Sequence, residues 1–231
     1  NPKDVIISGL KKLEYRGYDS AGLAILDEGK TKRVRASGKL KALEDKLTTE
    51  KFDGHIGIGH TRWATHGAPT ERNAHPHQVG GISLVHNGII ENYVEIREEL
   101  IANGAMISSD TDSELVAHLI ANEIEHTKDL YKAVERILGK IRGAFSIVVM
   151  WEKNPNQLVA FKDGPPLVVG VGAKETFVAS DVQALLQYTR KFMYLDDREI
   201  ALINGSDVKI FSANGFPIQK KIVELNWDPQ M

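Results

Sequence analysis

The spacing of apolar residues predicts five helices along the chain. In each segment apolar residues recur every three or four positions, which is typical of a helix with one buried face. The segments are 4–13, 40–47, 92–103, 111–122 and 129–138. A sixth, brief helix is predicted to begin at Ser180 and Asp181 and to end at Leu186, because serine and aspartate cap helices well.

Shorter apolar runs, bounded by glycine, proline and asparagine, predict strands. They occupy 22–26, 32–36, 56–60 and 82–86 before the main block of helices, and 144–151, 157–162, 167–171, 176–179, 199–203 and 208–212 after it. Strands on both sides of a helical block are typical of an α+β domain with helices packed on mainly antiparallel sheets. The chain of 231 residues, 42% of them hydrophobic, is long enough for one large domain.

Two local signals near the helical block have more than one interpretation. Asn87 and Gly88 both tolerate positive φ, so this pair, which follows a strand, is typical of a tight hairpin turn. Thr111 and Glu114 match a capping box that begins a helix. Asp112 then lies in the first turn, where its charge suits the helix dipole whether or not it binds a ligand. A hairpin turn and a functional site remain alternatives for the first pair.

Composition excludes several classes of function. The net charge is −2 and there is no basic block, so neither nucleic acid nor a membrane surface is expected as a partner. No apolar run approaches the length of about eighteen residues that spans a bilayer, and we expect a soluble protein. The cysteine count is zero, which removes disulfides, thiolate nucleophiles and cysteine metal sites from the possible chemistry of these residues.

Polar residues are concentrated between the third and fourth predicted strands. Six of the eight histidines lie within 55–86, and Arg62, Trp63 and Asn87 accompany them. A loop of about twenty residues without periodicity is uncommon in a compact domain unless it is functional or disordered. A single histidine at a strand end often serves only as a hydrogen-bonded, half-buried filler. The whole group, however, predicts a binding or catalytic site.

Five motifs resemble those of the class II glutamine amidotransferases, in the same order. They are Y-R-G-Y-D-S-A-G at 15–22, T-R-W-A-T-H-G at 61–67, N-A-H-P-H at 73–77, H-N-G-I-I-E-N at 86–92 and T-D at 111–112. Motifs of this length in register are a strong signal. The resemblance extends over essentially the whole chain and is greatest to the glutaminase domains of the glucosamine-6-phosphate synthase branch. It implies the four-layer αββα sandwich of the N-terminal-nucleophile hydrolases, with two mainly antiparallel sheets between helical layers.

The resemblance also implies a reaction. L-glutamine is hydrolysed to L-glutamate and ammonia, the ammonia passes to fructose 6-phosphate, and no cofactor takes part. The tetrahedral intermediate of such a reaction needs hydrogen-bond donors where its negative charge develops. Asn87 offers a side-chain amide and Gly88 a backbone N–H, and the pair resembles the oxyanion hole of the family.

The substrate is a zwitterion, so a cation and an anion are expected beside its α-carbon. Arg62 resembles the carboxylate clamp of the family, since a guanidinium binds a carboxylate through two hydrogen bonds. Asp112 resembles the partner of the ammonium group. Six further residues have implied roles: Trp63 closes the pocket and gates the ammonia path or packs in the core, Thr65 and His66 add hydrogen bonds, His75 lines the pocket, His86 is structural, and Arg16 supports the N-terminal catalytic segment.

One feature of the family is absent from this sequence. The nucleophile of these enzymes is an N-terminal cysteine, whose α-amino group is the general base, at the head of a strand that would precede Asn1 by about ten residues. We therefore expect residues 1–223 to be a glutaminase domain that lacks this strand and is inactive alone. We expect residues 224–231 to begin a linker to a C-terminal sugar-phosphate isomerase domain. The full-length enzyme is expected to be a cytoplasmic homo-oligomer.

Three other functions compete with this interpretation. A metal-dependent hydrolase would use His66, His75 and His77, with Glu71 as an optional ligand, although their spacing matches no recognised zinc motif. A binding module for glutamine or glutamate would lack catalysis. The glutaminase domains of other class II enzymes, which act in purine or asparagine synthesis, share the implied fold.

Overall fold

The helices and strands follow the apolar pattern closely in the computed structural model, which describes residues 1–226. The α-helices are α1 (Pro2–Leu13), α2 (Leu40–Leu47), α3 (Tyr93–Ala102), α4 (Asp112–Thr127) and α5 (Leu130–Leu138). The first strands are β1 (Ser20–Asp27), β2 (Lys30–Ser37), β3 (Ile56–Arg62), β4 (His77–Val79), β5 (Ile82–Ile90), β6 (Gly143–Trp151) and β7 (Asn154–Asp163). The later strands are β8 (Val168–Val171), β9 (Thr176–Ala179), β10 (Lys191–Tyr194), β11 (Ile200–Asn204), β12 (Asp207–Phe211), β13 (Pro217–Ile218) and β14 (Val223–Glu224).

The strands form three antiparallel sheets within this part of the chain. The largest has the order β13-β12-β11-β7-β6-β5-β4, and the two smaller sheets have the orders β2-β1-β3 and β14-β10-β8-β9. Residues of all three sheets share one apolar core, which includes Ala24, Val148 and Val169. The smaller sheets therefore lie in one layer that faces the seven-stranded sheet.

Helices cover the outer surfaces of both sheet layers. Leu115 and Ile120 of α4 and Val134 of α5 pack against the seven-stranded sheet. Leu10 of α1 and Leu43 of α2 pack against the three-stranded sheet. The order helix, sheet, sheet, helix confirms the predicted αββα sandwich, with the difference that one of its two sheet layers is divided into two hydrogen-bonded sheets.

The helix predicted at 111–122 is confirmed but extends further. Thr111 Oγ1 accepts a hydrogen bond of 3.2 Å from the backbone N–H of Glu114, as the capping signal predicts. The helix continues to Thr127 because Ile124 prolongs its buried face, and it ends at Lys128, whose φ is 54°. None of the helices within residues 1–226 is long and apolar enough to cross a membrane.

The hairpin turn proposed for Asn87 and Gly88 is wrong. Both residues lie inside β5, where Asn87 pairs with Ser146 and Gly88 with Phe145 of β6. The strand continues to Ile90, so the chain does not reverse at this point. Gly88 nevertheless has a φ of +119°, which gives the physical basis of the misleading turn signal.

Two predictions near the C-terminal half need adjustment. The brief helix from Ser180 to Leu186 is a single 3-10 turn (Val182–Ala184), for which Asp181 provides the cap. Of the linker predicted at 224–231, Glu224 belongs to β14, and positions 227–231 lie outside the described residues.

Candidate active site

A cavity of about 1350 Å³ lies between the two smaller sheets. One wall is β3 and the other is β9, and each of them is the last strand of its sheet within residues 1–226. Helix α1 lies along the cavity, and side chains of the seven-stranded sheet form its floor. Two unpaired strand edges thus face a common space, and strand edges with free N–H and C=O groups readily accept another strand.

The structure brings most of the predicted site residues to this cavity. Those that line it are Arg16, Arg62, Trp63, Thr65, His75, His86, Asn87, Gly88 and Asp112. His66 does not line the cavity, and its ring packs edge-on against Tyr93 with a centroid distance of 4.7 Å. A binding role for the side chain of His66 therefore stays a prediction without support from its position.

Asn87 is anchored by a histidine of the other sheet layer. Its Oδ1 lies 2.8 Å from Nε2 of His60, which is buried near the end of β3. Burial lowers the pKa of His60 to about 4, against the opposing effect of this hydrogen bond, so the imidazole is neutral near pH 7. No local sequence pattern indicates this contact, because His60 and Asn87 lie on strands of different sheets.

Gly88 occupies a position that other residues do not fit. A Cβ atom at this position would lie 2.0 Å from the carbonyl oxygen of Ala144. The positive φ of +119° is also unfavourable for residues with a side chain. The backbone of β5 therefore approaches β6 at Gly88 more closely than a side chain would permit.

Arg62 is buried at the end of β3 and holds the following loop. Its Nη1 donates a hydrogen bond of 3.0 Å to the carbonyl of Ala68, and its Nη2 donates to the carbonyls of His66 and Gly67. Burial lowers the pKa of Arg62, while the charges of Asp19 and Asp112 oppose the shift. The guanidinium thus shapes the loop after β3 and lies in the electrostatic field of two carboxylates.

Asp112 is the first residue of α4 and its side chain is only 3% exposed. Its Oδ2 accepts a hydrogen bond of 2.8 Å from the backbone N–H of Ile90. The carboxylate also acts on its surroundings, since its charge opposes the lowering of the pKa of both Arg62 and His86. A buried anion and a buried cation are therefore electrostatic neighbours at one end of the cavity.

Three further histidines form a buried network with the start of α4. Ser113 Oγ lies 2.9 Å from Nε2 of His75 and 2.7 Å from Nδ1 of His86, and Thr111 Oγ1 lies 3.1 Å from Nε2 of His77. Burial lowers the pKa of each of them, for His77 to about 3, and keeps the rings neutral.

The contacts of His75 and His77 are also relevant to the alternative of a metal-dependent hydrolase. His75 and His77 direct ring nitrogens to hydroxyl groups, and their rings meet edge-on at 4.7 Å. Within residues 1–226 no group of three histidine or carboxylate side chains is placed to hold a metal ion.

Three of the predicted site residues that line the cavity, Arg16, Trp63 and Thr65, are exposed. Trp63 is 59% exposed, so it is not part of the core, and its ring meets that of Tyr18 edge-on at 5.6 Å. Arg16 Nη1 lies 3.6 Å from Asp181 Oδ2, and this ion pair links the segment after α1 to the 3-10 turn at Val182–Ala184. Thr65 is exposed in the loop after β3.

Comparison with known proteins identifies the family. A family model described as the glutamine amidotransferase domain matches residues 60–187, which is more than half of the chain. The chain belongs to the glutamine amidotransferase family. The resemblance inferred from the five motifs is thereby confirmed.

Several curated relatives of this amidotransferase share one name. Glutamine–fructose-6-phosphate aminotransferases (isomerizing) of Photorhabdus laumondii, Aquifex aeolicus and Idiomarina loihiensis are 46%, 45% and 48% identical to it. The matches cover 96%, 97% and 95% of this chain, but 37%, 38% and 36% of the relatives. The chain thus spans little more than a third of the length of these relatives.

Solved structures share the fold of this amidotransferase. The glutamine phosphoribosylpyrophosphate amidotransferase from B. subtilis, complexed with ADP and GMP, matches with a TM-score of 0.79 and 24% identity, over 91% of this chain and 46% of that one. A glutamine aminotransferase class-II domain protein from Silicibacter pomeroyi matches with a TM-score of 0.54 and 15% identity, over 85% of this chain and 96% of that one. At such identities the comparison supports the fold alone.

Proposed function

We propose that this chain is the glutaminase domain of an isomerizing glutamine–fructose-6-phosphate aminotransferase. It would bind L-glutamine and release L-glutamate and ammonia. The observation that carries the proposal is the convergence of Asn87, Gly88, Arg62 and Asp112 on one cavity between β3 and β9. Identity of about 46% to relatives of that name, over nearly the whole chain, supports this branch of the family.

Recognition of glutamine is proposed to use the two buried charges. Arg62 would attract the α-carboxylate and Asp112 the α-ammonium group, since each substrate charge then meets an opposite charge on a buried side chain. Three backbone carbonyls already accept hydrogen bonds from Arg62, so its remaining N–H groups and its charge would serve the substrate. Thr65 and Trp63, in the same loop, would close over the bound amino acid.

Stabilisation of the tetrahedral intermediate is proposed for Asn87 and Gly88. The amide N–H of Asn87 and the backbone N–H of Gly88 would donate to the oxyanion. Preorganised donors of this kind do not have to rearrange when the charge develops. Loss of one donor typically lowers transition-state stabilisation by about 2.7–4 kcal/mol.

The nucleophile is proposed to come from a strand that lies in the cavity. The free edges of β3 and β9 and the volume of about 1350 Å³ between them support a strand at this place. A cysteine at its start would attack the amide carbon through its sulfur, with its own α-amino group as the base. The carbon–nitrogen bond would then break as the nitrogen takes a proton and leaves as ammonia. Water would hydrolyse the thioester to glutamate and regenerate the thiol.

The acceptor of the ammonia is proposed to be fructose 6-phosphate, bound by a further domain of the complete protein. The relatives are named for this acceptor, and the chain matches little more than a third of their length. A C-terminal isomerase domain would therefore be the partner of this domain, in a cytoplasmic homo-oligomer.

The experiment is to express the complete protein, with its native start, and to measure glutamate release from L-glutamine. We expect intact mass to show an N-terminal cysteine. We also expect glutamate release, and its loss when this cysteine is replaced by alanine. A protein that binds L-glutamate in calorimetry but releases none from glutamine would instead be a binding module. Absence of binding as well as release would refute the proposed site.

A further inference from the structure

The amide group of Asn87 has two chemically different ends. Its nitrogen carries two N–H donors, whereas its oxygen only accepts hydrogen bonds. An oxyanion is stabilised by the nitrogen end and repelled by the oxygen end. Rotation of the amide by half a turn would therefore convert a stabilising group into a destabilising one, so something must fix its orientation.

We propose that His60 is a positioning residue that fixes this orientation by donating its Nε2–H to Asn87 Oδ1, which leaves the N–H donors of Asn87 for the oxyanion. The two atoms are 2.8 Å apart, and Asn87 lines the cavity. The inference rests on the proposed glutaminase function and adds a residue that none of the five motifs includes.

The protonation of His60 agrees with this assignment. A ring that is neutral near pH 7 has a single N–H, which lies on either Nδ1 or Nε2. A proton on Nδ1 would be buried without a well-formed hydrogen bond in residues 1–226, and the bare Nε2 would then face the oxygen of Asn87. Both effects are unfavourable, so the tautomer with the proton on Nε2 is selected.

The ring of His60 is itself held in place. It packs against the ring of His75 in a tilted arrangement, with centroids 4.0 Å apart and an angle of 33° between the planes. His75 is fixed in turn by the contact of 2.9 Å between its Nε2 and Ser113 Oγ at the start of α4. Gly22, the partner of His60 in β1, leaves the space for this arrangement, since a Cβ there would lie 1.9 Å from the carbonyl oxygen of His75.

The contact joins two layers of the sandwich. His60 lies on β3 of the three-stranded sheet, and Asn87 lies on β5 of the seven-stranded sheet. If His60 only filled space between the layers, the size and shape of its side chain would matter but its N–H donor would not. A histidine that orients Asn87 needs a donor at the position of Nε2, and this difference separates the two roles experimentally.

Two variants of similar length provide the test in the complete protein. His60→Gln keeps an N–H donor near the position of Nε2, whereas His60→Met does not. We expect His60→Met to lower kcat for glutamine hydrolysis about 10-fold or more, since loss of an oxyanion donor lowers kcat by about 10²–10³ and misorientation is a partial loss. We expect His60→Gln to recover most of kcat, and KM to change little in both.

An Asn87→Ala background makes the test specific. There the two His60 variants should have equal kcat, because the group that His60 orients is gone. Equal kcat of the two variants in the presence of Asn87 would overturn the inference. A wild-type protein that releases no glutamate would instead refute the proposed function.

A spectroscopic measurement keeps the inference testable where a variant does not fold. Long-range ¹H–¹⁵N spectra of the complete protein, labelled at histidine, report the tautomer of each ring at pH 7. Nε2–H for His60 is the expected result. A neutral ring that carries its proton on Nδ1 would overturn the proposal whether or not the protein is a glutaminase.

Discussion

Asp112 Oδ2 accepts a hydrogen bond of 2.8 Å from the backbone N–H of Ile90, two residues beyond Gly88. This bond joins the first turn of α4 to the end of β5, and both atoms are buried. The carboxylate thus has a structural role, to which the proposed function adds the recognition of an ammonium group. The two roles depend on different properties of the side chain, because one needs an acceptor oxygen and the other needs a negative charge.

Replacement of Asp112 by asparagine and by alanine should separate these roles. Asp112→Asn keeps an acceptor for Ile90 but removes the charge. We expect it to weaken L-glutamate binding at least tenfold while changing the free energy of unfolding by about 1 kcal/mol or less, the size of a lost charge at a helix start. Asp112→Ala should also leave a buried N–H unpaired and cost about 1–3 kcal/mol of stability. Calorimetry and urea unfolding of the complete protein measure both, and undiminished binding by Asp112→Asn would contradict the ammonium role.

Arg62 offers a second test, because three carbonyls of one loop depend on its guanidinium. Lysine keeps the charge but lacks the planar fork, so Arg62→Lys should release the loop at 63–68 and destabilise the fold by about 1–3 kcal/mol. Its affinity for L-glutamate should fall at least tenfold, as measured by calorimetry. Arg72→Lys is the matched control, since Arg72 is an exposed partner of Asp110 and its change should cost about 0–1 kcal/mol. Equal losses of stability and of L-glutamate affinity in the two variants would argue against a special role for Arg62.

The buried histidines predict an acid-sensitive fold. The pKa of His60 is lowered from 6.5 to about 4 by burial, so the unfolded chain binds more protons than the folded chain between these values. The contribution of this residue to the free energy of unfolding is therefore fully retained above pH 6.5. It falls by about 3 kcal/mol as the pH decreases toward 4. His60→Gln removes the titrating group, so its free energy of unfolding should depend less steeply on pH between 6.5 and 5. Identical slopes for the variant and the wild type would show that His60 is not neutral in the folded protein.

The sequence predicts the layers of this fold better than the contacts between them. Helices and strands emerge from local apolar spacing, and the longer elements were predicted with ends close to those observed. The apolar pattern does not predict strand β10 (Lys191–Tyr194), because Phe192 and Met193 are both buried and no alternation marks the strand. Its identity as a strand depends on its pairing with β8, which is remote in sequence.

The same distinction applies to the candidate site. The five motifs name Asn87, Arg62 and Asp112, and the structure brings these residues to one cavity. The contact between His60 and Asn87 joins the two sheet layers, and no local sequence pattern predicts a contact between residues of different sheets. The pair Asn87 and Gly88 also shows that one dipeptide serves two structures, since glycine permits both the positive φ of a hairpin turn and the close approach of strand backbones.

Gly88 allows the most direct test of this close approach. Alanine at position 88 would place its Cβ 2.0 Å from the carbonyl oxygen of Ala144, at a φ of +119°, so β5 and β6 would have to separate. We expect Gly88→Ala to destabilise the fold by about 3 kcal/mol or more, from backbone strain together with overpacking. Gly104→Ala is the matched control, because its φ of +89° is also positive but no atom lies within 4 Å of the added Cβ. Backbone strain alone should then cost about 1–2 kcal/mol. Urea unfolding of both variants measures the difference, and equal costs would mean that β5 moves away from Ala144 freely and that the proposed oxyanion donor at Gly88 is not rigidly placed.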